Sequence, residues 1–182
     1  MKENKDYFFS EKIILEPIGK ELSEEEISEI DDFSGKEDFV NFYRVHNGVN
    51  FPYTAWFYPE DCYNIPPEDY PYMTIDFFFN IPTDRDDSNG GLNMESVKDM
   101  ILLKYDNYED FLLFHLPLVM DVASNIFWID IQTGEIKYTD FQESTDPEDA
   151  FTVASSFKDF CKRITTNKNL DKDMAFLNRL QN

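Results

Sequence analysis

The sequence predicts an α+β domain, a mostly antiparallel β-sheet flanked by N- and C-terminal helices. Three observations carry that expectation. Helix-periodic segments with a capping signal occupy about 23–46, the densest strand-forming residues fill 111–138 with only short breaks, and helical spacing returns from 154.

The first helix is predicted over 23–33. The Ser23 hydroxyl can accept from the backbone N–H three residues on while Glu26 reaches back, and Glu24 and Glu25 sit at the positive end of the helix dipole. Ile27, Ile30 and Phe33 recur at helical spacing, and Gly35 stands where a left-handed C-terminal residue would end the helix. A second helix is predicted over 37–46, with Phe39, Phe42, Tyr43 and His46 on one face and Asn47-Gly48 as terminator. The repeated prolines at 52, 59, 66, 67 and 71 forbid a helix across 51–72 and predict irregular structure or edge strands.

Residues 73–81, with Phe77-Phe78-Phe79, predict a buried strand, and 83–93 an exposed turn. Val97, Met100, Ile101 and Lys104 predict a third helix over 95–105. Strands are then expected at 111–116, 118–121, 126–131 and 135–138. Pro117, Ala123-Ser124-Asn125 and Gln132-Thr133-Gly134 separate them, breaks short enough for antiparallel hairpins. Phe157, Phe160, Cys161 and Ile164 predict a closing helix, and Met174, Leu177 and Leu180 mark a weaker helical tail. No internal repeat is evident, so 1–182 reads as one domain.

Composition bounds the function. The chain has 182 residues with 37 acidic and 16 basic side chains, a formal net charge of −21. Such a charge disfavours nucleic acid and anionic membrane, which require Lys and Arg against phosphate, and favours a basic partner. Disorder is not expected, because 42% hydrophobic residues, with 18 Phe, 10 Tyr and 2 Trp, supply a core. The acidity is uneven. Glu60, Asp61, Glu68, Asp69, Asp76, Asp84, Asp86 and Asp87 face one base, Arg85, between 51 and 93, and Asp140, Glu143, Asp146, Glu148 and Asp149 face none between 138 and 157.

Two cysteines far apart, Cys62 and Cys161, form neither a disulfide framework nor a metal cluster, and the first residues lack a secretory leader's apolar stretch. A cytoplasmic location is expected. Nucleophilic chemistry has weak support, since His46 and His115 form no local motif with Cys62 or Cys161, and Cys161 falls on the apolar face of a helix. In the Asp84 to Gly91 stretch the glycines miss the register of a calcium loop. We therefore expect no catalytic residues, no cofactor and no metal. The strip from Phe51 to Asp87 has the most interaction potential, because carboxylates there alternate with aromatic rings that can anchor an interface. Its candidate partner-binding residues are Trp56, Tyr58, Glu60, Asp61, Glu68, Asp69, Asp84, Asp86 and Asp87.

Four segments in order resemble the SUKH superfamily, which includes bacterial toxin-immunity proteins, the Syd protein and the fungal Smi/Knr cell-wall regulators. They are Ser23-Glu24-Glu25-Glu26-Ile27 through Gly35; Phe39 through the Asn47-Gly48 turn; Leu116-Pro117-Leu118-Val119-Met120-Asp121 with Asn125-Ile126-Phe127-Trp128-Ile129-Asp130; and Ala154-Ser155-Ser156-Phe157 to Phe160. Together they span about 19–164, and 165–182 has no counterpart. Three features depart from the family pattern: Gly35-Lys36 before the second helix, Val49 in place of a second glycine, and Ala123-Ser124 in the strand-pair turn. The resemblance implies a Smi/Knr-like fold in which these residues are mostly scaffold. It also implies an immunity protein that neutralises a cognate, basic toxin domain such as a nuclease by occlusion, as a monomer or weak homodimer. The alternative it implies is a regulatory interaction module like the fungal regulators or Syd.

Overall fold

The computed structural model of the chain describes residues 8–10, 12–30, 32–59, 70, 72–83 and 92–166. Its elements run β1 (Glu16–Pro17), α1 (Glu24–Glu29), α2 (Lys36–Val45), β2 (Val49–Phe57), β3 (Met73–Phe78), α3 (Met94–Lys104), α4 (Glu109–Leu112), β4 (His115–Met120), β5 (Ile126–Asp130), β6 (Ile136–Thr139), β7 (Phe151–Ala154), α5 (Phe157–Lys162) and β8 (Ile164–Thr165). The strands form an eight-stranded open sheet ordered β1 to β7, with β8 beside β1 on the outer edge of β2, and every strand pairing among the described residues is antiparallel. The α+β class read from the sequence is the architecture observed.

Aromatic packing divides the molecule into layers. On one face, Phe42 of α2 meets Phe78 at 5.0 Å and Phe157 of α5 at 5.3 Å between ring centroids. Phe160 lies 4.6 Å from Phe57 and 5.2 Å from Phe127. Because neighbouring residues of a strand point to opposite faces, Phe127 and Trp128 cannot share a layer. Trp128 meets Phe111 edge-on at 5.3 Å on the opposite face, beneath α3 and α4. Both side chains are fully buried. A buried ring of this kind contributes about 1.5–3 kcal/mol, so the rings on both faces are the main apolar glue between the layers.

Several boundaries differ from expectation for local reasons. The capping box of α1 forms, with Ser23 Oγ accepting from Glu26 N and Glu26 accepting from Ser23 N. The helix ends at Glu29 rather than near Phe33, because Ile30 turns extended and its carbonyl is taken by the Lys36 ammonium. Gly35, at φ +81°, precedes α2 instead of closing α1. Cys161 is buried in the core as its helical position implied.

The expected strand over 111–116 is partly helical. Tyr108 and Leu112 are buried and Phe111 half-buried at helical offsets, while Leu113 and Phe114 are exposed, a period-3.6 pattern that an apolar run this short conceals. Pro117 does not break β4. The β3 pairing reaches only Val119 and Met120, and the β4–β5 register shifts between Pro117 and Val119, so the missing N–H falls at a bulge.

Pro52 is accommodated in the same way. The β2–β3 register slips between Asn50, opposite Phe77, and Ala55, opposite Ile75, and the exposed Pro52-Tyr53-Thr54 segment bulges outward inside a nine-residue strand. Strand β7 went unanticipated because Phe151 to Ala154 is short and follows an acidic turn. Its pairing with β6 supplies what its sequence does not.

Candidate interaction surface

The residues that carry the family resemblance hold the sheet together. Asn47, 2% exposed, clasps two distant segments: its side-chain amide donates to the carbonyls of Lys20 and Ile81, and its oxygen accepts from Ile81 N at 2.8 Å. Gly48 follows at φ +75°, and a Cβ there would stand 2.7 Å from Asn80 Cβ, so only glycine fits. The two residues end α2 and start β2, fixing the helical layer against the end of β3.

Asp121 does the same for the β4–β5 turn. One oxygen accepts from Ala123 N and Asn125 N, both at 2.8 Å, and the other accepts from the Asn125 amide and from the Tyr138 hydroxyl at 2.8 Å. Burial, and then the neighbouring Asp121 carboxylate, push the Tyr138 phenol far above its ordinary pKa. Tyr138 therefore stays protonated and remains a donor. Asp130 staples the next turn by accepting from Gln132 N and Thr133 N.

His115 is a buried titratable group beside the Asp130–Lys137 ion pair. Its ring stacks on Phe111 at 3.7 Å, and its Nδ1–H donates to the Phe111 carbonyl at 2.7 Å. Nε2 lies 3.9 Å from Asp130 Oδ2, which Lys137 Nζ also approaches at 3.8 Å, and has no hydrogen-bond partner among the described residues. Desolvation, aided by the Lys137 charge, lowers the His115 pKa below the ordinary value, against smaller raising effects of the Phe111 carbonyl and Asp130. Buried under Phe111, this histidine tethers β4 to α4. His46 ends α2, its N–H donating to Phe42 O and its ring tilted 5.3 Å from that of Phe42.

Of the nine residues expected to bind a partner, the structure describes two. Trp56 is half-buried in β2 and meets Tyr72 edge-on at 4.9 Å; Tyr58 is half-buried just beyond β2, its N–H donating to Arg163 O. Glu60, Asp61, Glu68, Asp69, Asp84, Asp86 and Asp87, and the Asp84 to Gly91 stretch weighed as a calcium loop, lie outside the described residues. In the second acidic stretch, Glu143, Asp146, Glu148 and Asp149 are exposed on the turns between β6 and β7, where Ser144 donates to Asp149 and Asp146 caps a short helical turn. No group of His, Cys, Asp and Glu among the described residues could hold a metal ion.

A cleft of about 350 Å³ opens where the end of the sheet meets α1 and α3. Ile30, Phe33, Phe39, Ile81, Met94, Leu116 and Ile131 supply its apolar lining, and Glu26, Glu29, Glu95 and Lys98 its charges. Beside it, Lys98 Nζ donates to the Leu112 carbonyl at 3.5 Å, and the next two residues, Leu113 and Phe114, are 65% and 42% exposed. No family model, curated protein or solved structure matches this chain.

The sequence did not single out this cleft. Its residues come from six separated segments, and the one local cue, an apolar run at 111–116, reads as a buried strand until helical periodicity is assigned to its first half. No helix among the described residues is long and apolar enough to cross a membrane.

Proposed function

We propose that the chain is an immunity protein of the SUKH type, acting in the cytoplasm by binding a cognate toxin domain and occluding its active site. The observation that carries this reading is the sign and placement of charge. A net charge of −21 sits on a layered scaffold that exposes Glu143, Asp146, Glu148 and Asp149 along one edge. A surface of that sign competes with phosphate for the basic cleft of a nuclease and speeds encounter with it. The resembling segments support the reading from another side, because Asn47-Gly48, Asp121, Asn125, Asp130 and the Ser156 cap of α5 each have a structural role. On this reading the chain inhibits by shape and charge, without a cofactor or metal.

The proposal is tested by asking whether a neighbouring reading frame encodes a secreted protein whose C-terminal domain is lethal alone, and by co-expressing that domain with this chain. Cells should survive, and the purified pair should associate at least about tenfold more slowly at 0.5 M salt than at about 0.05 M. Charge reversal at Glu60, Asp61, Glu68 or Asp69 should slow association further. Death of the co-expressing cells, or turnover of a metabolite by the chain alone, overturns the reading, and indifference to salt removes its electrostatic part.

A further inference from the structure

We infer that the cleft between α1 and α3 is the anchoring site of the interface, and that it takes an apolar side chain flanked by lysine or arginine on a segment of the toxin domain. This inference rests on the toxin-binding reading and adds a place and a chemistry to it. Two independent features meet here. The cleft has an apolar lining of pocket size, and its charged residues are three glutamates to one lysine.

The second feature is an apolar surface continuous with the cleft. Glu95, Lys98 and Leu102 follow one another at helical spacing along α3, so the strip that borders the cleft runs on to an exposed leucine. Phe114 is tied to the lining through its carbonyl, which accepts from Ile131 N at 2.9 Å. Exposed Leu102, Leu113 and Phe114 therefore adjoin a concave site, and contiguous exposed apolar surface rimmed by charge marks an association surface. The excess of carboxylate selects the occupant. A segment with acidic neighbours is repelled, whereas lysine or arginine beside the buried side chain meets Glu29 and Glu95, both exposed.

The test uses the full chain and a synthetic helical peptide of leucines and lysines, with a leucine–glutamate peptide as charge-reversed comparator. NMR titration should move Ile30, Ile81, Leu113 and Phe114 with the lysine peptide alone. Leu102→Glu with Leu113→Glu, both at exposed positions, should weaken binding at least about tenfold. Val122→Glu, on an exposed residue of the β4–β5 turn, should leave it unchanged. Perturbation confined to the Asp140 to Asp149 edge, or equal binding of both peptides, overturns the proposal. So does a dimer of the free chain that Leu113→Glu dissociates, which would make a second copy the occupant. Neutralisation assays separate the two levels. Full protection by the double glutamate variant sinks the cleft and spares the toxin reading, whereas peptide binding at the cleft by a wild type that protects against no toxin sinks the toxin reading.

Discussion

The β4–β5–β6 turns and the α1–α3 cleft invert the usual relation between polarity and burial. In the turns, Asp121, Asn125 and Asp130 are buried polar groups tied by several hydrogen bonds. At the cleft, Leu102, Leu113 and Phe114 are apolar groups left in water. Buried polar groups are costly unless every partner is in place, so they specify one local geometry and read as motifs in the sequence. Exposed apolar groups specify nothing about the chain's own fold. They are free to serve a partner. Substitutions in the first region should therefore unfold the protein, and substitutions in the second should leave the fold standing.

Asp121→Ala should produce the largest effect. It strands Asn125 N and the Tyr138 hydroxyl hydrogen in a dry site and leaves the Asn125 amide only its bond to the Tyr138 oxygen, each unsatisfied donor costing about 1–3 kcal/mol. A loss of about 3 kcal/mol or more is expected in chemical denaturation. A loss under about 1 kcal/mol would mean that the turn reorganises and that the contrast between the regions is weaker than drawn. Asn47→Ala should follow at about 2–3 kcal/mol, since it removes the acceptor of Ile81 N and a donor from each of the Lys20 and Ile81 carbonyls, the latter keeping a longer bond from the Asn80 amide. Amide exchange should locate the damage at Lys20 and Ile81, away from the cleft.

These two sites also mark how far the sequence could be read. Asp121, Asn125 and Asp130 stood out only through the family resemblance, and the Asn47 clasp on Lys20 and Ile81 was not read, but Gly48 was legible as a helix terminator because that role is set within a few residues. Capping and turn chemistry are local. The Ser23 and Glu26 box was legible for the same reason. Strand β7 was not, because four residues after an acidic turn become a strand only through β6. The helical start of 109–114 was not, because Phe111-Leu112-Leu113-Phe114 satisfies both periods until burial separates Leu112 from Leu113. The cleft is still less local, since α1, α3 and the ends of β3 and β4 meet there only after the sheet has formed. Of the anionic strip expected to bind, Trp56 and Tyr58 prove half-buried, Trp56 against Tyr72.

A smaller effect is read as a slope with pH. Burial lowers the His115 pKa, so the folded chain holds this ring neutral where the unfolded chain protonates it. The unfolded state then binds more protons. Stability should fall as the pH drops below the unfolded value of about 6.5, and this contribution should level off below the lowered folded value. Asp130 and Lys137 share the site, and protonated Nε2 would face the Asp130 oxygen at 3.9 Å, which limits the fall. Replacing His115 by Gln, which keeps a donor for the Phe111 carbonyl, should remove this part of the slope. An unchanged profile would place the acid sensitivity elsewhere.

The smallest effect should be a gain, at the Ala123-Ser124 turn between β4 and β5. Ser124 is held at φ +67°, a left-handed backbone conformation that costs a side-chain-bearing residue about 1–2 kcal/mol. Glycine removes that strain but adds about 0.5–1 kcal/mol of unfolded-state entropy to be lost. Ser124→Gly should therefore stabilise the fold by about 0.5–1 kcal/mol, or about 2 °C in Tm for a chain of this length. The Asp121 bonds to Ala123 N and Asn125 N bracket Ser124 and hold it in place. In an Asp121→Ala background that hold is gone, the serine can relax, and the same substitution should gain less. An equal gain in both backgrounds would mean that the strain is intrinsic to the hairpin, and that the staple and the turn act independently.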